Sequence, residues 1–132
     1  MTDNTTPEYD SQVAADRWAS ALHLFDEPHE ETAAQRWERA ELLFEARDYT
    51  AAATLLAEVV AEYPDQTGPR LLLARAYYHS AQLGRAEEQL REIVERDPVE
   101  HYAHLMLGRT LQRRGRHDEA ARWLRMAEAF GA

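Results

Sequence analysis

Apolar and small residues recur along this chain at a fixed interval of 34 residues. One column of equivalent positions holds alanine three times, another holds leucine three times, and three more hold small or large apolar residues. A period of this length over three units is typical of a helical repeat array. The columns are Ala52, Ala86 and Ala120; Leu56, Leu90 and Leu124; Val59, Ile93 and Ala127; Ala40, Ala74 and Gly108; and Leu43, Tyr77 and Leu111.

Each column has a physical role within a helical hairpin. The small residues let two helices approach closely, and the large residues fill the space beside them. Pro64 and Pro98 share the interval and separate successive hairpins, because proline cannot continue a helix. The pattern predicts paired helices at residues 33–46 with 49–62, 68–80 with 83–96, and 99–114 with 117–130.

Two helix starts carry a capping signal. Thr32 and Gln35 have the spacing of a capping box before the first hairpin, and Thr67 is predicted to cap the second. The turns between the helices of each hairpin are short enough to make the paired helices antiparallel neighbours.

These columns resemble the tetratricopeptide repeat family, and the resemblance covers residues 33–132. It implies an all-α fold: an α-solenoid of three antiparallel helical hairpins, with repeats at 33–66, 67–100 and 101–132. Arg39 departs from the family pattern, because Leu73 and Leu107 give the large apolar residue expected there. The residues that stand where the family often has an aromatic side chain are Arg36, Arg70 and His104.

The segment before the first repeat is predicted to form an amphipathic helix at residues 11–25, after a disordered tail at residues 1–10. We expect this helix and the linker to residue 32 to cap the array. Two alternatives are that the helix folds into the concave groove or pairs with its mate in a dimer. At the other end of the array, the apolar residues without a predicted cover are Trp123, Met126 and Phe130.

The resemblance implies that the first helices of the hairpins line a concave, partner-binding face. Its lining would be unusually apolar and aromatic, which favours a role in holding a segment of another protein. The residues implied to contact the partner are Trp37, Glu41, Phe44, Leu71, Arg75, Tyr78, Tyr102, Leu105, Arg109, Gln112 and Arg113.

Charged side chains in this lining suggest what the partner carries. Glu41 is expected to neutralise Arg75, whereas Arg109 has Arg113 one helical turn away. Like charges at that spacing are mildly destabilising, and an acidic group on the partner would relieve them. Family members that bind chaperones clamp a C-terminal carboxylate with Lys, Asn and Arg. That clamp is missing, because its positions hold Trp37, Glu41, Leu72, Tyr102 and Met106.

Composition and charge exclude several classes of function. The net charge is −9, and residues 1–66 hold fifteen acids and four arginines (−11) while residues 67–132 hold nine acids and eleven arginines (+2). The acidic half argues against general nucleic-acid binding. The chain has no cysteine, which excludes disulfides and thiolate sites, and no apolar run long enough to span a membrane. The polar, acidic N-terminus does not resemble a signal peptide, so a cytoplasmic protein is expected.

Catalysis and cofactor binding find no support in the sequence. His101 and His104 lie three residues apart, and His117 is a more distant third histidine. No carboxylate or cysteine accompanies them at ligand spacing, so surface or capping roles are expected. No serine has a recognisable base, and no glycine-rich phosphate loop is present. Acidic pairs such as Glu87 and Glu88 are expected to be solvated. We predict neither enzymatic activity, nor a cofactor, nor a metal.

Two functional hypotheses remain. The first is a non-catalytic adaptor that holds a peptide or protein segment in its groove through apolar anchors and an arginine cluster. The second is a self-assembling scaffold, or a homo-oligomer similar to a secretion chaperone, that uses the N-terminal helix or the C-terminal end of the array.

Overall fold

A computed structural model describes residues 31–131 of the chain, and every regular element in that range is an α-helix. The predicted tail at 1–10 and the predicted capping helix at 11–25 lie outside the described residues. The helices are α1 (Ala33–Glu45), α2 (Tyr49–Glu62), α3 (Thr67–His79), α4 (Leu83–Arg96), α5 (His101–Arg113) and α6 (His117–Ala129). Helices α1 and α2, α3 and α4, and α5 and α6 form the three hairpins.

The helix starts confirm one predicted cap, correct a second cap and correct one helix boundary. The Thr32 side chain accepts a hydrogen bond from the Gln35 N–H at 3.2 Å, and the Gln35 side chain accepts one from the Thr32 N–H at 2.9 Å, as the capping box predicts. The prediction for Thr67 was wrong, because Thr67 is the first residue of α3 and Gln66 precedes it without a side-chain bond. Helix α5 starts two residues later than predicted, after a turn in which Val99 is 71% exposed.

The turns inside the three hairpins share one backbone geometry. Arg47, Ala81 and Gly115, again spaced by 34 residues, have φ angles of 65°, 61° and 79°. In each turn the next residue's N–H returns to a carbonyl near the end of the preceding helix, as Gln82 does to Tyr77 at 2.8 Å. This is the Schellman ending, whose left-handed residue is most easily glycine. Only the third hairpin has glycine there.

The repeated columns form the hairpin cores as predicted. The small residues of both helices are fully buried, and the large side chains pack beside them. The closest approach occurs at Gly108, where an added methyl group would lie 2.6 Å from Cδ2 of Leu124 and 3.3 Å from the carbonyl oxygen of Ala120. The third hairpin therefore requires glycine where the first two have alanine. Fully buried members of the columns are Ala40, Ala52, Leu56, Ala74, Ala86, Leu90, Leu111, Ala120 and Ala127.

One equivalent position uses a different chemistry in each hairpin. Arg36 pairs with the Glu62 carboxylate in the first hairpin, and Arg70 donates to the Gln89 side chain at 2.7 Å in the second. In the third, His104 packs its ring 5.6 Å from Trp123 and is 1% exposed. The expectation of a solvent-facing His104 was therefore wrong. Its ring nitrogen Nδ1 lies 2.8 Å from the Glu100 carbonyl oxygen, which satisfies it inside the hairpin.

An ionic cluster joins the second and third hairpins and overturns the prediction that Glu87 is solvated. The Glu87 side chain is only 11% exposed. Its carboxylate accepts hydrogen bonds from Arg91 at 2.9 Å and from both Arg114 and Arg116 at 2.8 Å. Because Arg114 and Arg116 flank the α5–α6 turn, the cluster holds the third hairpin against α4.

Candidate functional site

An open cavity of about 510 Å³ lies between the first helices of the first two hairpins. Five of the residues predicted to contact a partner lie together in its wall. Small and apolar residues of α3 complete it. The lining residues are Trp37, Glu41, Phe44, Glu45, Gly68, Leu71, Leu72 and Arg75.

A second cavity, of about 610 Å³, adjoins the first at the N-terminal ends of α1 and α3. The two share Trp37 and Gly68, and the second reaches Val59 and Tyr63 at the end of α2. This extension was not predicted from the sequence. A methyl group on Gly68 would lie 4.0 Å from the Trp37 ring, an ordinary van der Waals contact, so there is room for a side chain at this position.

The aromatic lining is half-buried rather than exposed. Trp37 and Phe44 pack their inner edges on the core of the first hairpin, and Tyr78 and Tyr102 pack on the core of the other two. Leu71 and Leu105 are half-buried as well. Intramolecular packing therefore covers part of the apolar lining that was predicted from the sequence and fixes the orientation of its aromatic side chains.

Arg75 does not pair with Glu41 as predicted. No ion pair within 4.0 Å joins Arg75 to a carboxylate among residues 31–131. Its guanidinium lies 4.8 Å from the centre of the Phe44 ring and 5.8 Å from that of Tyr102. Stacking on aromatic faces suits the planar, weakly hydrated guanidinium. Arg75 therefore bridges the three first helices by cation–π contacts, and no carboxylate of residues 31–131 pairs with its N–H groups.

Arg113 is held in a similar way at the end of α5. It donates a hydrogen bond to the Tyr78 carbonyl at 2.9 Å and lies 4.6 Å from the centre of the Tyr78 ring. This contact orients Arg113 toward α3. Arg109 and Gln112 are exposed on the same helix.

His79 lies between these two arginines, in an aromatic cluster. Its ring stacks on Tyr49 at 4.7 Å and meets Phe44 and Tyr78 edge to face at 5.8 Å and 5.5 Å. Burial, together with the positive charges of Arg75 and Arg113, lowers the pKa of His79 below its usual value of 6.5. His79 is therefore neutral near pH 7, first because of its burial and then because Arg75 and Arg113 are positively charged.

The described part of the chain offers no arrangement suited to metal chemistry. Residues 31–131 contain no group of three or more histidine, cysteine or acidic side chains that could hold an ion. His101 and His117 are exposed whereas His104 is buried. None of helices α1 to α6 is long and apolar enough to cross a membrane.

Stacked antiparallel hairpins with a concave face of first helices define a helical-repeat protein–protein interaction module. The chain belongs to the tetratricopeptide repeat family: two profiles described as tetratricopeptide repeat match residues 43–106 and residues 10–67. Members of this family are typically non-catalytic interaction modules. No curated protein matches the sequence.

Solved structures share the fold. A mutant of MamA superimposes with a TM-score of 0.72 at 20% identity, over 93% of this chain and 90% of that chain. MamA from Desulfovibrio magneticus gives a TM-score of 0.72 at 25% identity, over 96% of this chain and 69% of that one. A chain of the CopN-Scc3 complex gives 0.71 at 17% identity, over 78% and 61% of the respective chains.

Proposed function

We propose that this protein is a non-catalytic adaptor that holds a peptide segment of another protein in the groove formed by α1, α3 and α5. The observation that carries the proposal is the cavity of about 510 Å³ between α1 and α3, with Trp37, Phe44 and Leu71 in its wall and Arg75 at its edge. Cavities of this size, mostly apolar with a few oriented polar groups, are typical of ligand sites.

The half-buried lining suits an anchor for a partner's side chain. Trp37 and Phe44 are already fixed by packing on the hairpin core, so they lose little conformational freedom when a partner covers them. Rigid aromatic side chains of this kind supply much of the energy in protein interfaces. The cavity therefore supports binding of an apolar side chain from an incoming segment.

The arginines support recognition of an acidic group beside that anchor. Arg75 and Arg113 are oriented by aromatic rings and pair with no carboxylate of residues 31–131, and Arg109 is exposed on α5. A guanidinium binds a carboxylate through two parallel hydrogen bonds. A partner that brings an acidic side chain to this place would gain such bonds without breaking an ion pair.

Affinity capture from an extract of the source cells tests the adaptor role. The wild type is compared with Arg109→Glu, which changes an exposed groove residue, and with Gly68→Leu, which fills the cavity without removing core. Arg125→Glu is the matched control, because Arg125 is exposed on α6 outside the groove. A protein retained by the wild type and the control but lost from both groove variants supports the proposal. Equal retention by all four contradicts it.

A second candidate function, self-association, is favoured by one apolar patch. Trp123, Met126 and Phe130 lie on α6 or directly after it, at positions where the second hairpin has Gln89, Glu92 and Arg96. Phe130 is 44% exposed. Light scattering over a hundredfold concentration range tests this candidate. A constant monomer mass contradicts it, and a mass that rises for the wild type but not for Phe130→Ser supports it.

A further inference from the structure

Charge on the concave face is divided along the array. Two rows of equivalent positions run across α1, α3 and α5: Glu41, Arg75 and Arg109 form the first, and Glu45, His79 and Arg113 form the second. Each row changes from acidic on α1 to basic on α5. Glu41 and Arg75 of the first row also line the cavity.

The acidic end is not neutralised within the described part of the chain. Glu38, Glu41 and Glu45 are exposed on α1, and no arginine or histidine nitrogen of residues 31–131 lies within 4.0 Å of their carboxylates. Arg75 shares a cavity with Glu41 and Glu45 yet stacks on Phe44. The fold therefore keeps the two signs of charge apart instead of pairing them across the groove.

The basic end has its own fixed geometry. Arg75 and Arg113 are held on the rings of Phe44 and Tyr78, with His79 between them. Burial lowers the pKa of His79, and the positive charges of Arg75 and Arg113 lower it further. An anionic group placed there would meet two oriented guanidinium groups.

We propose, on the basis of the adaptor function above, that the groove selects a peptide segment of bipolar charge and binds it in one direction. A basic side chain of the segment lies against Glu41 and Glu45 on α1. An apolar side chain enters the cavity beside Phe44, and an acidic side chain lies against the arginines of α3 and α5. Complementary charge at an interface fixes register and direction more than it raises affinity.

Segments of uniform charge fit this face less well. An acidic segment gains contacts at α3 and α5 but is repelled by the α1 carboxylates, and a basic segment has the opposite defect. Both kinds carry a like-charge contact that the bipolar segment avoids. A bipolar segment bound in the reverse direction would make two like-charge contacts, one at each end.

The test begins with display of random twelve-residue peptides against the full chain. We expect enriched peptides to carry basic and acidic residues on opposite sides of an apolar centre, in one constant order. The strongest peptide is then synthesised together with a twin of identical composition whose acidic and basic residues are exchanged. The twin should bind at least about tenfold weaker at low salt, and the difference should shrink in 1 M salt, where the Debye length is about 3 Å. Equal affinity of peptide and twin at low salt would overturn the proposal.

Charge reversal on the protein locates the two ends of the peptide. Glu41→Arg/Glu45→Arg should weaken the peptide about tenfold and restore part of the affinity of a variant peptide whose basic residues are replaced by glutamate. Glu88→Arg/Glu95→Arg, which makes the same change on the exposed face of α4, should leave both peptides unaffected. No rescue by Glu41→Arg/Glu45→Arg would overturn the assigned direction.

The cavity-filling variant Gly68→Leu separates this inference from the adaptor function. If the selected peptides bind Gly68→Leu as well as the wild type, or if no peptide is enriched, the groove is not the binding site and both proposals fail. If Gly68→Leu abolishes binding but enriched peptides show no charge order, the adaptor function stands and the bipolar selection is wrong.

Discussion

Replacement of Gly108 by alanine tests the close packing of the third hairpin. Alanine occupies the equivalent positions Ala40 and Ala74, and in a helix interior it is favoured over glycine by about 1 kcal/mol. Helix propensity and the repeat pattern alone therefore predict that Gly108→Ala is stabilising. The structure predicts the opposite.

The sign follows from the space around Gly108. The added Cβ would lie 2.6 Å from Cδ2 and 2.7 Å from Cγ of Leu124, and 3.3 Å from the Ala120 carbonyl oxygen. Because Cγ is not the flexible tip of the side chain and the carbonyl belongs to the backbone of α6, α5 and α6 must move apart. Overpacking of this kind costs about 1–3 kcal/mol. After the gain in propensity, we expect a net loss of about 1 kcal/mol.

Urea and thermal unfolding followed by circular dichroism measure this loss. A loss of about 1 kcal/mol corresponds to a melting temperature lower by roughly 4–8 °C for an array of this size. Gly84→Ala is the control, since its Cβ would have only an ordinary contact, 3.6 Å from Nη1 of Arg114, and it should not destabilise. In a Leu124→Ala background, Gly108→Ala should no longer be destabilising. A Gly108→Ala protein at least as stable as the wild type would refute the packing argument.

The other predictions concern a turn and the Glu87 cluster. Ala81→Gly should raise the free energy of unfolding by about 1 kcal/mol, because it relieves a left-handed alanine, and Gly115→Ala should lower it by a similar amount in the same urea assay. Glu87→Gln should lower stability at pH 7 by about 1–3 kcal/mol, because it weakens bonds from three arginines. Burial raises the Glu87 pKa, but hydrogen bonds from Arg91 and Arg116 outweigh it, so the folded-state pKa lies below 4.5. The stability that the Glu87 carboxylate contributes is therefore present above pH 4.5 and lost at lower pH. Unfolding curves from pH 7 to pH 3 should show that the difference in the free energy of unfolding between wild type and Glu87→Gln becomes smaller as the pH falls. A difference that stays constant over this pH range would contradict the lowered pKa of Glu87.

The hairpin architecture could be predicted because it depends on local and periodic properties. The repeated alanine at residues 52, 86 and 120 indicates a close contact between the two helices of each hairpin. The capping box at Thr32 is a short-range motif that the sequence shows directly. The structure corrects residues whose partners lie in another element. Glu87 looked solvated because its arginine partners Arg114 and Arg116 come from the next hairpin.

The candidate site was predictable in outline for the same reason. The repeat period places Trp37, Phe44 and Leu71 on first helices, and the structure brings all three into one cavity. The predicted pair of Glu41 with Arg75 failed because equivalent positions fix the backbone but not the rotamer of a long side chain. Arg75 gains a contact with the face of Phe44 instead, which no sequence spacing encodes.

The most direct test of the proposed groove is an amide chemical-shift map of the full chain, labelled with ¹⁵N and titrated with the strongest displayed peptide. We predict that the largest shifts fall on α1, α3 and α5, at the amides of Phe44, Leu71 and Arg75 and at the indole N–H of Trp37. Shifts confined to α2, α4 and α6, with the Trp37 indole unchanged, would contradict it.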